Sequence, residues 1–203
     1  NLWIGMNNGL AYAETNSPIK IINKDPNLYN HILSIAEHDN FYLFGTMTGL
    51  YVFDISKSTL NKVKNIGNQY IWDIIEFGDE FIIATDDGIY SFSNNVSKLI
   101  QLTKRVYKLY ASKIDKNRIY YGYNDGAGFI EKTENGSWEI KHELGNLKHI
   151  VRDISQDKDG NLWLSTNYEG IIKFEQSDKS FSTYTTFDTL SGLPTNKNNY
   201  FPN

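Results

Sequence analysis

Asn161-Leu162-Trp163-Leu164-Ser165-Thr166 follows an Asp157-Lys158-Asp159-Gly160 turn and precedes Gly170. The chain opens on the same phrase, Asn1-Leu2-Trp3-Ile4-Gly5-Met6. Three weaker copies lie between. A small residue ends each apolar run, at Gly5, Gly45, Ala84, Gly122 and Ser165, with spacings of 40, 39, 38 and 43 residues. A glycine follows a few residues later each time, at Gly9, Gly49, Gly88, Gly126 and Gly170. After it comes another strand-like run, at residues 10–13, 50–54, 89–92, 129–132 and 171–174.

Upstream of the four later copies lie apolar runs at residues 32–36, 71–75, 106–110 and 150–154. Downstream lie more polar runs at residues 60–64, 98–102, 138–142 and 181–185. Four short strands every ~40 residues is the period of a β-propeller blade. No segment keeps a 3.6-residue apolar period long enough for a helix. The fold class is therefore all-β, a propeller of four-stranded antiparallel blades with about five repeats visible. The expected blades are residues 1–29 (without a first strand), 30–67, 68–103, 104–147 and 148–186. Residues 187–203 then form a connection to a further blade. Together they make one partial propeller domain over residues 1–203.

Strands covered on both faces read as near-continuous apolar runs, as residues 41–44 and 81–84 do. The outermost strand faces solvent, which suits Lys179-Ser180-Phe181-Ser182-Thr183-Tyr184. The small residue of the Gly5 type is expected to let neighbouring blades approach closely. The later glycine is expected to supply positive φ in a hairpin. Trp163 and Trp72 are expected to pack in the core between blades.

Composition narrows the function classes. Hydrophobic residues at 40% and aromatic residues at 14% can fill a core, which excludes global disorder. The net charge of -4 gives no basic footprint for nucleic acid and no polybasic membrane patch. Without cysteine there is neither disulfide nor thiol chemistry. No apolar run reaches the roughly 18 residues of a membrane span, so membrane attachment is expected only through a segment outside this chain. The chain starts inside a motif and is read as a piece of a longer protein.

These residues resemble the two-component regulator propeller repeat. Its pattern runs as an apolar strand, then Asp-x-x-Gly-Asn-Leu-Trp-Ile-Gly-Thr, then Gly-Gly-Leu and a polar strand. Val151-Arg152-Asp153-Ile154 with residues 157–166 is the best copy and residues 1–10 the next. Leu28-Tyr29-Asn30-His31-Ile32 and Ser191-Gly192-Leu193-Pro194-Thr195-Asn196 resemble the family's connection between blades. Ser165 and Tyr123 depart from the pattern, and residues 68–147 lose the Trp at the strand-two position. The resemblance implies a periplasmic sensor domain of a hybrid two-component histidine kinase or regulator, usually with seven-bladed propellers. It also implies carbohydrate sensing, a homodimer formed through the full ectodomain, and no cofactor or catalytic residue in this region. Five blades could instead close on themselves if residues 195–201 supplied a first strand. A fragment of a larger propeller is the favoured expectation.

The turn at Asp157 fails as a calcium loop, because Gly is fourth and Tyr168 twelfth. The four histidines, His31, His38, His142 and His149, include no pair at zinc-ligand spacing on one element, so no metal is expected. In a propeller the loops before each first strand and those after each second strand share one face around the channel. The candidate ligand residues there are His31, Tyr70, Arg105 and His149 from the first set, and Asp87, Asp125, Tyr168 and Glu169 from the second. Rings and polar groups on one rim suit an oligosaccharide or other small ligand. Two rivals remain open. One is a propeller scaffold for protein partners. The other is a propeller enzyme, a lyase or glycosidase, which needs paired carboxylates that spacing does not single out.

Overall fold

The structure is a computed structural model and describes residues 2–7, 9–13, 20–21, 31–102, 104–178 and 180–201. Among these residues there is no α-helix. The strands form one three-stranded and four four-stranded sheets, each an up-and-down meander. Blade I holds β1 (Leu2–Met6), β2 (Gly9–Ala13) and β3 (Lys20–Ile21). Blade II holds β4 (Ile32–His38), β5 (Phe41–Thr46), β6 (Gly49–Asp54) and β7 (Thr59–Lys62). Blade III holds β8 (Ile71–Phe77), β9 (Glu80–Thr85), β10 (Gly88–Ser93) and β11 (Val96–Leu102). Blade IV holds β12 (Val106–Ala111), β13 (Arg118–Tyr123), β14 (Gly126–Lys132) and β15 (Trp138–Glu143). Blade V holds β16 (Val151–Gln156), β17 (Leu162–Thr166), β18 (Ile171–Phe174) and β19 (Thr185–Phe187). This is the β-propeller blade plan that the ~40-residue period predicts.

The chain divides into two compact units, Asn1–Asp86 with Tyr90–Lys98, and Asp87–Ile89 with Leu99–Asn203. In the first unit β5 shows why inner strands carry unbroken apolar runs. Side chains alternate across a strand. Tyr42 and Phe44 pack with Leu10, Tyr51 and Phe53 toward blade I. Leu43 points the other way and packs with Leu50, Ile71, Ile83 and Phe92 toward blade III. Both faces lose water, so the run from Phe41 to Phe44 is apolar, and the buried Thr46 at the strand end donates its hydroxyl to the Gly49 carbonyl. In the second unit Leu162, Leu164, Ile172 and Phe174 of blade V pack against Tyr120, Ala127 and Phe129 of blade IV.

The small residues in the second strands do permit close approach where a following blade is packed on. A Cβ added to Gly45 would lie 2.7 Å from Ile71 Cγ2. One added to Gly122 would lie 2.7 Å from Val151 Cγ1. Gly5 differs: nothing described lies within 4 Å of its Cβ position. Leu2, Ile4 and Met6 of the same strand are exposed while Trp3 packs inward on Tyr12 and Tyr42.

One expectation is corrected. Residues 180–184 are not the outer strand of blade V. That strand is β19, Thr185–Phe187, paired with β18. The earlier segment is a loop tied by Asp178, whose carboxylate accepts from the N–H groups of Ser180, Ser182 and Thr183. The loop turns Phe181 inward, where it is buried against Tyr120, Phe129 and Phe174. Trp163 is half-buried, on the face of β17 that does not meet blade IV. Its ring lies 5.5 Å from Phe187, Lys173 Nζ sits 5.4 Å from it, and Nε1 donates to Asp157 Oδ2 at 2.8 Å. The flanking Leu162 and Leu164 point the other way and fill the core shared with blade IV, as the two-residue pleat demands.

The Asp157 turn is a hairpin closed by one carboxylate. Oδ1 accepts the N–H groups of Asp159 and Asn161, and Oδ2 accepts Asn161 Nδ2 as well as the indole. Burial pushes this carboxyl up, but the indole, the Asn161 side chain and those N–H groups outweigh it and hold it at about 2. A carboxyl held below its usual value adds stability above its ordinary range and loses it as pH falls through the depressed value. Asp178 and Asp54 shift the same way, through bonds from Ser180 and from Lys57 respectively. Stability is therefore expected to fall as the pH drops from about 4 to about 2. Asp157→Asn should flatten part of that slope. Urea midpoints across this range check it, and an unchanged slope in the variant would remove Asp157 from the account.

Candidate functional site

The candidate site is built where the chain enters each blade. In blades II, IV and V the residue after the second strand donates its N–H to a carbonyl just before the first strand. The pairs are Met47 to His31 (3.3 Å), Asn124 to Arg105 (3.1 Å) and Asn167 to Ile150 (3.0 Å). These bonds place the two sets of loops side by side at one end of each blade.

The first strands share a second device. Pairing with the second strand skips one residue at the same place in four blades, between Ile32 and Ser34, Ile71 and Asp73, Val106 and Lys108, and Val151 and Asp153. A bulge of this kind re-aims the extra side chain. The residues re-aimed are Leu33, Trp72, Tyr107 and Arg152.

In the first unit, Trp72 is half-buried, and its Nε1 donates to Asp86 Oδ1 at 2.9 Å. The ring of Tyr70 lies 5.3 Å from it. This corrects the core assignment of Trp72: the bulge turns the indole toward the loop end, where its N–H finds a carboxylate. His31 is exposed, with Nδ1 3.1 Å from Met47 Sδ.

In the second unit, the Arg152 guanidinium lies over the Tyr107 ring at 4.2 Å, and Arg105 approaches the same ring at 6.0 Å. Lys104 Nζ reaches Asp125 Oδ2 at 2.7 Å. Bonding to Lys104, then its charge and that of Lys148, hold the Asp125 carboxyl below the usual range. The structure thus brings Arg105 and Asp125 to one blade end, joined by Tyr107, Arg152 and Lys104. His149 is half-buried ahead of β16, and Asp87 is half-buried ahead of β10. Tyr168 is exposed with Lys197 Nζ 5.8 Å from its ring. Glu169 is exposed and donates its backbone N–H to Thr166 Oγ1 at 2.8 Å. Asn8, Tyr29 and Asn30, in the corresponding loops of blades I and II, lie outside the described residues.

Trp72, Tyr107 and Arg152 are the rim residues that sequence reasoning passes over. Their signal is local: each follows the first buried residue of its strand, and the bulge takes it out of the alternation that assigns faces. Among the described residues no cluster of three His, Asp or Glu side chains could hold a metal ion. No helix among them is long and apolar enough to cross a membrane. The rim offers ring faces, guanidinium groups and a few carboxylates. That chemistry stacks on flat C–H surfaces and hydrogen-bonds hydroxyls or carboxylates.

No curated protein matches the sequence. Among solved structures, the extracellular domain of the putative hybrid two-component system BT3049 from B. thetaiotaomicron is similar. Its TM-score is 0.70 at 20% identity, covering 96% of this chain and 28% of that one. The corresponding domain of BT4673 from the same organism gives 0.68 at 14% identity, with the same coverage. PorZ, a surface component of the type-IX secretion system of Porphyromonas gingivalis, gives 0.63 at 13% identity, covering 96% of this chain and 33% of that one. The chain thus spans about a third or less of these proteins, and at such identities the likeness speaks to the fold. The two-component regulator propeller family matches residues 146–168, the stretch that holds β16, the Asp157 turn and β17. This is an all-β propeller chain in which residues 146–168 match the two-component regulator propeller repeat.

Proposed function

We propose that the chain is part of a non-catalytic sensor domain, periplasmic or extracellular. It binds an oligosaccharide-like ligand at the blade ends that carry the bulged first strands. Its output is a two-component histidine kinase or regulator beyond the membrane, reached through a homodimer of the intact ectodomain. The family repeat and the likeness to extracellular domains of hybrid two-component systems support the sensor part. The observation that carries the ligand class is the Tyr107 ring with Arg152 lying over it and Arg105 nearby. A ring face stacks on a sugar, and a guanidinium fork bonds paired oxygens. For signalling, the ligand must prefer one of two arrangements of the domain.

Titration calorimetry against a panel of glycans tests this reading. At least one glycan class should bind, and Tyr107→Ala or Arg152→Ala should each weaken it by about tenfold, the equivalent of one lost contact of ~1.4 kcal/mol. Affinity unchanged in both variants would move the site elsewhere. No binding by any glycan to the folded chain would end the carbohydrate reading.

A further inference from the structure

Blades II and III, and separately blades IV and V, enclose a cleft at the end of the sheets opposite the loops described above. The two clefts use matching positions. His38 Nδ1 and Glu76 Oε1, 3.0 Å apart, stand at the first. Ser112 Oγ and Gln156 Oε1, 3.4 Å apart, occupy the same strand positions at the second. Val52, three residues after Gly49, corresponds to Phe129, three after Gly126. Phe92, four residues after Gly88, corresponds to Phe174, four after Gly170.

The clefts differ in what fills them. In blade V the connection from third to fourth strand carries Phe181 back into the cleft. Its ring lies 6.2 Å from Phe129 and 6.0 Å from Phe174. In blade III the same connection is a two-residue turn, Asn94-Asn95, at φ 50 and 62. Such a turn is too short to return a side chain. Against about 260 Å³ left beside Phe181 in the other cleft, the cavity here is about 340 Å³, bounded by Val52 and Phe92 with the rings of Phe41 and Phe81 in its wall. That is the size of a small-ligand pocket and larger than one phenyl ring.

Charge restricts the occupant. Glu76 and Asp79 line this cavity, together with Asp54, which is paired to Lys57. No Lys or Arg is among the described residues that line it. We propose that the blade II–III cleft docks an aromatic side chain borne on a basic segment of a partner protein. The ring takes the place that Phe181 fills between blades IV and V, and the neighbouring cations face Glu76 and Asp79. This site is independent of the glycan reading.

The probe is acetyl-Lys-Phe-Lys-amide, titrated into the isotope-labelled chain and followed through backbone amide shifts. Shifts are expected around residues 38–41, 76–81 and 92–95. Acetyl-Lys-Ala-Lys-amide and acetyl-Glu-Phe-Glu-amide should each bind at least about fivefold more weakly, roughly one lost contact. Val52→Trp should fill the cavity and abolish the shifts. The exposed double change Glu76→Gln with Asp79→Asn should erase the preference for the basic probe, which keeps the test alive if the tryptophan variant does not fold. No shifts in this region, equal shifts with the alanine probe, or a charge preference that survives the double change would each overturn the proposal.

Discussion

Phe181→Ala is expected to destabilise the unit containing blades IV and V by about 3–5 kcal/mol, the usual cost of emptying a buried phenylalanine site. Phe181 is 6% exposed and meets Tyr120, Phe129 and Phe174 edge-on at 6.0, 6.2 and 6.0 Å. Edge-on ring contacts add to the area buried. The residue also sits at φ 48, where a bulky side chain is strained by roughly 1–3 kcal/mol. That strain persists only because ring packing and the Asp178 bonds over-determine the loop. Alanine keeps the strained backbone and loses the packing. Phe181→Leu, which refills most of the volume, should cost clearly less. Urea denaturation followed by tryptophan fluorescence measures both. A loss under about 1 kcal/mol for the alanine variant would mean that the ring is not the plug between these blades.

Phe181 also shows where the sequence stops being readable. Ser180-Phe181-Ser182-Thr183 alternates polar and apolar, the pattern of a half-buried outer strand. The pattern is real, but Asp178 competes for the backbone N–H groups that a strand needs. A loop anchored by one carboxylate carries no periodic signal. The blade plan, by contrast, was legible because it repeats. Both faces of strands such as β5 are buried, so the apolar run is continuous and recurs at ~40 residues. The Asp157 turn was legible for a different reason: one carboxylate reaching two N–H groups and an indole fixes the spacing of its residue types.

The candidate site was only half legible. Loop position could be inferred from blade topology, which is why Arg105 and Asp125 fall at one blade end. Side-chain direction could not, because a single bulged residue reverses it. In the sequence Trp72 reads as a core ring. The structure instead gives its N–H to Asp86 at 2.9 Å. Tyr107 and Arg152 escaped notice because they sit inside first strands, away from the loops where polar groups usually signal function. Trp163 keeps the alternation that Trp72 breaks: Leu162 and Leu164 on either side of it pack toward blade IV, and its ring lies on the other face of the strand, against Phe187.

Gly122→Ala is expected to cost about 1–3 kcal/mol even though alanine is the smallest change available, because the site is overpacked by a single methyl. The added Cβ would lie 2.7 Å from Val151 Cγ1 and 3.0 Å from the Val151 carbonyl oxygen. Val151 is fully buried and β-branched, so its side chain has little freedom to move aside. The backbone of β16 must retreat instead, and with it the bulge that aims Arg152. Gly122→Ala is therefore expected to weaken ligand binding at Arg152 as well as stability, although Gly122 lies on the strand behind that site. Gly122→Ala with Val151→Ala separates the two contacts. Trimming Val151 relieves the methyl clash and leaves the carbonyl contact, so a double-mutant cycle should show a favourable coupling of about 0.5–3 kcal/mol. Additive effects would mean that strands β13 and β16 do not meet as closely as the glycine implies. A neutral Gly122→Ala would mean that the small residue of the repeat has another purpose than close approach of blades.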